Sequence, residues 1–155
     1  YAFGGGALIA LSFDFRVATT RTVLGYTEIN VGLFPMTAPH TLVNMCGITK
    51  TKDLLLRGET FTAEEGHEWG IINEVYPEGE EFDGAVEALA EELVELPPLA
   101  YRFGKQSIAR SVLHESGYEP LDLERLAVQF LFGTEDQKEG ARAFLEDREP
   151  AFQGK

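Results

Sequence analysis

A single cysteine, Cys46, rules out an internal disulfide, and no secretory leader pattern is present, so nothing here reads as a disulfide-stapled extracellular scaffold. Long apolar runs are missing too. The stretch Ala7–Phe13 is interrupted by Ser12 and stops at Asp14, far short of the roughly 18 residues that a membrane span requires. The three histidines, His40, His67 and His114, have no metal-ligand spacing with one another or with Cys46, and no metal site is expected. Positive charge is scarce: 13 Lys and Arg stand against 26 Asp and Glu, a formal net charge of −13. That balance argues against nucleic acid or an anionic membrane as partner. An initiator Met is also lacking, since the chain opens Tyr1-Ala-Phe-Gly-Gly-Gly without a polar lead-in, and we read it as part of a longer sequence. A cytoplasmic location is the expectation.

With 155 residues, 44% of them hydrophobic, the chain can bury a core of ordinary domain size. The acid is concentrated, because Glu78 to Glu95 carries eight carboxylates and no Lys or Arg. Such a run reads as a solvated helix face. The wider acidity also suits a high-salt cytoplasm, where surface carboxylates resist aggregation.

The pattern of the chain predicts three sections. In the first, Gly4-Gly5-Gly6 opens onto Ala7–Leu11, long enough for two helical turns. Asp14–Ala18 alternates as a half-buried strand does, and Thr22–Leu24 is a second short strand closed by Gly25. Glu28–Pro35 reads as irregular. Helices are expected at His40–Cys46 and Lys50–Arg57, ended by Gly47 and Gly58. In the second section, Thr62-Ala-Glu-Glu65 has capping-box spacing and predicts a short helix that stops near Gly70. Ile71–Val75 reads as a strand. Phe82, Val86, Leu89, Leu93 and Leu96 then form one apolar helix stripe. Pro97-Pro98 breaks that helix, which sets a boundary between residues 1–96 and 97–155. The third section is helical: Leu99–Ser111, Leu121–Phe132 and a helix from Thr134 to about Arg148.

Several residues could carry chemistry. A triple glycine before an apolar helix allows a sharp turn and brings backbone N–H groups close to a ligand. It lacks the six-residue dinucleotide spacing, and no Gly-Lys-Ser/Thr follows as in a P-loop. A tight turn without function is the other reading of those residues. Glu28 is either a surface loop carboxylate or an acid/base. Ile29, Val31, Leu33 and Phe34 give it an apolar setting in the sequence that would fit it for proton transfer. Cys46 beside Gly47 reads as a small core residue, Asp14 as a partner of nearby backbone N–H groups, and Trp69 as packing.

Five pieces of the sequence, in order, resemble the enoyl-CoA hydratase/isomerase (crotonase) family. The string Tyr1-Ala-Phe-Gly-Gly-Gly-Ala-Leu-Ile-Ala-Leu-Ser-Phe-Asp-Phe-Arg-Val-Ala18 is similar to that family's run of glycines, apolar helix, Asp and following strand. Gly25-Tyr-Thr-Glu28-Ile-Asn-Val-Gly-Leu-Phe-Pro35 follows at the family's spacing. Leu54-Leu-Leu-Arg-Gly58 with Ala63-Glu-Glu comes next, and then Trp69-Gly-Ile-Ile-Asn73-Glu-Val-Tyr-Pro77. The stretch from Thr134 to Gly140 and on to Arg148 completes the match, so the likeness covers nearly the whole chain.

The resemblance implies an α/β crotonase-type fold, a spiral of strand-strand-helix units present here in its later turns, plus a C-terminal helical module that packs trimers or dimers of trimers. It implies an acyl-CoA thioester as substrate, with coenzyme A carried as part of it and no other cofactor. Gly5 would donate its N–H to the thioester oxygen, and Glu28 would move the proton. Gly4, Gly6, Leu8 and Pro35 would line the substrate. The family's hydratases carry a second glutamate two residues after the third glycine, where this chain has Leu8. Hydration of a 2-enoyl thioester uses two carboxylates to hold one water, whereas moving a double bond from the 3- to the 2-position needs one base. An isomerase is therefore the preferred expectation, a hydratase the alternative, and a catalytically silent binding protein of the same fold the third. The family often has Lys before the Arg of its closing helix, able to meet a CoA phosphate, but here Asp147 precedes Arg148, and Lys105 is another cation to consider.

Overall fold

A computed structural model describes residues 1–33, 35–113 and 126–155. These fall into two compact units, Tyr1–Ala88 and Leu89–Lys155.

The first unit is mixed α/β. Strand β1 (Ala2–Phe3) runs into helix α1 (Gly5–Leu11), followed by β2 (Val17–Thr19), β3 (Val23–Gly25) and a 3-10 turn (Thr27–Val31). Then come α2 (Ala38–Arg57), β4 (Thr60–Thr62), α3 (Ala63–Glu68), β5 (Glu74–Tyr76) and the start of α4 (Glu80–Val94). One sheet has the order β1-β3-β4, with β1 parallel and β4 antiparallel to the central β3. The other pairs β2 with β5 in parallel.

Local chemistry explains where these elements stop. Thr62 caps α3 by accepting from Glu65 N, while the Glu65 carboxylate accepts from Thr62 N, so the expected capping box is formed on both sides. The two helices expected at His40–Cys46 and Lys50–Arg57 form one element with a break at Gly47, whose φ of 75° and ψ of 164° no helix contains. Thr51 Oγ1 donates to the Gly47 carbonyl at 2.9 Å on the far side of that break. The expected strand Ile71–Val75 begins later. The N–H groups of Ile71 and Ile72 turn back to the Gly66 carbonyl at 2.8 and 3.0 Å, so pairing with β2 starts only at Glu74. Both isoleucines are nonetheless core residues, as their apolarity requires.

The core of this unit packs Ala7 and Leu11 of α1 against Leu24, Tyr26, Leu42, Leu54, Phe61, Ile71 and Ile72. Packing is tight at one seam: a Cβ on Gly66 would lie 3.0 Å from Ile72 Cδ1 and 3.1 Å from Phe61 Cε2, so a side chain there would push both neighbours aside by a few tenths of an ångström.

The second unit is helical: the end of α4, then α5 (Pro98–Leu113), α6 (126–131) and α7 (Glu135–Glu146). The first five residues of the expected helix Leu121–Phe132 lie outside the described residues, as do Phe34 and His114. Phe103 of α5 and Phe130 of α6 meet with ring centroids 5.4 Å apart. Thr134 links two helices, donating to Leu131 O at 2.8 Å and accepting from Gln137 N at 3.2 Å. The last helix ends at Glu146 because Asp147 takes the left-handed conformation (φ 51°). Beyond it the tail folds back. Asp136, buried at the start of α7, accepts from Gln153 N at 2.7 Å and Gly154 N at 2.8 Å. Among the described residues no helix is long and apolar enough to cross a membrane.

Candidate active site

Parallel strands leave a sheet at the same end, and that topology assembles the site. Ala2 pairs with Leu24 and Phe3 with Gly25, so the chain exits β1 at Gly4 beside the point where it exits β3 at Tyr26. Gly4 N donates to Gly25 O at 2.9 Å and extends the ladder by one bond. The backbone then turns sharply, with Gly4 at φ 49° and ψ −118°. A side chain is disfavoured there.

Helix α1 starts on the far side of this turn. Its first internal bond is Leu8 N to Gly4 O at 3.0 Å, which leaves the N–H groups of Gly5, Gly6 and Ala7 ahead of the helical ladder. A Cβ built on Gly5 or Gly6 meets nothing within 4 Å. The backbone amides at these positions are thus open to approach, and both residues are exposed. The amide end of the helix carries partial positive charge and suits a developing oxyanion.

Glu28 sits in the first turn of the 3-10 segment that follows β3. Its Oε1 lies 3.2 Å from where a Cβ on Gly4 would stand, so the carboxylate packs against the glycine turn itself. The parallel pairing thus brings Glu28 next to Gly4, the residue preceding Gly5. Glu28 is held from behind. Leu33 N donates to its carbonyl at 3.0 Å, and Asn30 Nδ2 donates to Gly58 O at 3.2 Å. Gly58 caps α2 with φ 64°, and a Cβ there would stand 2.6 Å from Ile29 Cγ2. No side chain fits between the end of α2 and the Glu28 turn.

Val31 and Leu33 do not enclose Glu28, being 74% and 65% exposed. Tertiary contacts shelter the carboxylate instead. Among the described residues, Glu28 Oε2 and Tyr26 Oη are buried side-chain atoms without a hydrogen-bond partner. Tyr26 is fully buried and stacks on Phe61 at 6.3 Å. Burial holds its phenol protonated well above the usual range. Arg16 pulls the other way, and Cys46 and Glu28 add to the upward push.

The remaining expectations sort by environment. Leu8 is half-buried and packs on the core, so an apolar residue fills the place after the glycines. Pro35 is fully buried. A cavity of about 450 Å³ opens on the other flank of α1, between Gly6, Ile9, Phe13, Thr22 and Phe82. It touches neither Gly5 nor Glu28, and we place the site by its chemistry rather than by that hollow. Cys46 is half-buried and donates to Leu42 O at 3.2 Å, as a packing residue does. Trp69 lies against Phe61, with Lys50 Nζ 4.0 Å above its ring. In the second unit, Arg148 is committed to Glu139 and Glu146, and Lys105 Nζ lies 5.9 Å from the Tyr101 ring centre. The described residues hold no group of three potential metal ligands. The burial of the Tyr26 hydroxyl and of Glu28 Oε2, and the clamp of Asn30 on Gly58, were not anticipated. Their one sequence signal is a tyrosine ending a strand of Val23, Leu24 and Gly25, where phenylalanine would pack as well.

Comparison with known proteins agrees with this geometry. The family model for enoyl-CoA hydratase/isomerase matches residues 1–155. A putative enoyl-CoA hydratase of Thermus thermophilus is 37% identical over 152 residues, covering 97% of this chain and 59% of that protein. The mitochondrial enoyl-CoA hydratase domain-containing protein 2 of Homo sapiens is 33% identical over 159 residues, covering 100% of this chain and 54% of that protein. An enoyl-CoA hydratase subunit I from Geobacillus kaustophilus superposes with a TM-score of 0.91 at 38% identity, over 99% of this chain and 60% of that one. The chain therefore spans a little over half the length of these relatives. With the crotonase fold seen from strand pairing to C-terminal helices, the chain belongs to the enoyl-CoA hydratase/isomerase family.

Proposed function

We propose that the full-length protein carrying this sequence processes acyl-CoA thioesters through an oxyanion-stabilised enolate, and that its reaction is conversion of a 3-enoyl to a 2-enoyl thioester. The observation that carries this reading is the Glu28 carboxylate packed on Gly4, directly beside the open amide of Gly5. In that arrangement Glu28 takes a proton from C2. The electron pair moves onto the thioester carbonyl, whose oxygen accepts from Gly5 N–H, and a dienolate forms. The same carboxyl returns its proton at C4. The double bond then lies between C2 and C3, and Glu28 is again ionised.

One base suffices for this balance, and Leu8 supports it over hydration. Where a second carboxylate would hold water, a half-buried leucine packs on the core. Hydration of 2-enoyl thioesters is the second reading, favoured by the hydratase names of the relatives. Assaying the full-length protein on both substrates separates the two. Isomerisation is expected to exceed hydration by about tenfold or more, and faster hydration would overturn the preference. Glu28→Gln is expected to lower kcat by about 10²- to 10⁴-fold, the usual worth of a positioned acid/base. Unchanged turnover on every acyl-CoA tested would refute the catalytic role of Glu28, whereas a wild type that turns over none of them would leave a binding protein as the better reading. We also propose assembly into trimers or dimers of trimers through the second unit, where Phe144 and Leu145 are more than four-fifths exposed.

A further inference from the structure

Among the described residues, two side-chain polar atoms are buried without partners, and they belong to residues only two apart just after β3. One is the Tyr26 hydroxyl, a donor. The other is Glu28 Oε2, an acceptor when ionised. Leaving either group unpaired inside a protein is costly, and native structures rarely tolerate it without a reason. Packing gives no reason for the hydroxyl. The Tyr26 ring is wholly enclosed and stacks on Phe61, which in turn meets Trp69 at 5.4 Å, and phenylalanine would keep that aromatic column at no polar cost. Nor does the turn give a reason for the carboxylate, since Glu28 could face solvent from an exposed 3-10 segment. Both side chains are instead directed inward, and Glu28 reaches the glycine turn where α1 begins.

We propose that Tyr26 is a positioning residue for Glu28, its hydroxyl donating to the carboxylate in the reacting complex and fixing the orientation from which Glu28 moves protons. This rests on the reading of Glu28 as the acid/base. The donor itself stays protonated throughout, because burial keeps its proton affinity high and the Glu28 charge adds to it. Arg16 and Cys46 are the other titratable groups that act on the phenol. Arg16 is tied to the carbonyls of Ile71 and Phe13 at 2.5 and 2.6 Å, so it supplies charge to the neighbourhood while remaining fixed in place. A donor on one carboxylate oxygen leaves the other, Oε1, free on the Gly4 side, where the substrate's C2 and C4 would lie.

The test is Tyr26→Phe in the full-length protein, read three ways. The folded protein should melt at or above the wild-type temperature, because only an unpaired hydroxyl is removed. Turnover should fall about tenfold with little change in KM, the worth of a hydrogen bond to a charged group in the transition state. The acid limb of kcat, which reports the enzyme–substrate complex, should move to higher pH, since the ionised carboxylate has lost its donor there. A merely structural tyrosine would alter the melting temperature and leave that limb in place. Unchanged kcat and an unshifted acid limb of kcat overturn the proposal. If Glu28→Gln itself leaves turnover intact, the acid/base reading fails, and the positioning role falls with it whatever that limb shows.

Discussion

Gly4 does two things that no other residue could do in its place. It turns the chain at φ 49° between β1 and α1, and its missing side chain makes room for the Glu28 carboxylate 3.2 Å from where a Cβ would stand. Gly4→Ala is expected to strain the backbone by roughly 1–3 kcal/mol. It should also push Glu28 off its position, lowering kcat by about tenfold or more while acyl-CoA still binds. Melting temperature and steady-state kinetics of the full-length variant check both effects, and a stable variant with normal kcat would show that the contact is incidental. Glycine at 5 and 6 answers a different need, because space above them is open and the absence of side chains exposes their amides. In the sequence these three glycines look alike. Their separate tasks depend on what lies across the sheet end, which no local pattern encodes. Glu28 could be picked out from its family setting, but Val31 and Leu33 nearby are exposed, and the carboxylate packs on the glycine turn instead.

At the scale of elements, the Glu28 turn borrows its rigidity from the end of α2. Gly58 ends that helix in a left-handed conformation, accepts from Asn30 and leaves no gap beside Ile29. The cap was readable from its glycine, whereas the contact across 28 residues was not. A comparable latch closes the second unit. Asp136 and Glu139 on α7 hold the amides of residues 151, 153 and 154, and Arg148 makes two bonds to Glu139. Arg148 first, and then the Ala151 N–H, hold the Glu139 carboxyl down at about 2, against an ordinary value of 4.5. A carboxylate depressed on folding stabilises the folded state above its unfolded value, and that contribution is lost as pH falls through the folded one. The latch should therefore loosen between pH 4.5 and about 2. In Glu139→Gln the Ala151 amide resonance should lose its acid titration, and the variant should be less acid-sensitive than the wild type over that window. An Ala151 signal that titrates equally in both proteins would place the tail's hold elsewhere.

For the molecule as a whole, the second unit leaves Phe130, Phe132, Phe144 and Leu145 more than half exposed on a chain of net charge −13. Isolated apolar residues on a surface are ordinary, and under the proposed assembly a neighbouring copy would cover these large ones. Sedimentation of the full-length protein should give a trimer or hexamer mass. Phe144→Glu combined with Leu145→Glu should shift it to smaller species without unfolding the chain. A monomeric wild type would remove the proposed assembly.

By itself the sequence determined the composition of this protein's elements. Caps at Thr62 and Thr134, breaks at Gly47 and Gly58, the helix after the glycines and the apolar core positions all follow from local rules of hydrogen bonding and periodicity. It also marked Gly5 and Glu28 through their family pattern. Only the tertiary structure decided what those residues meet. The two- and three-residue strands β1 and β4 are too short to show an alternating period, and their pairing with β3 depends on partners far along the chain. That pairing makes β1 and β3 end together and packs Glu28 on Gly4, and the core buries the Tyr26 hydroxyl. Hydrogen bonding along a strand is a local matter; which strand lies alongside is settled by the burial of the whole core.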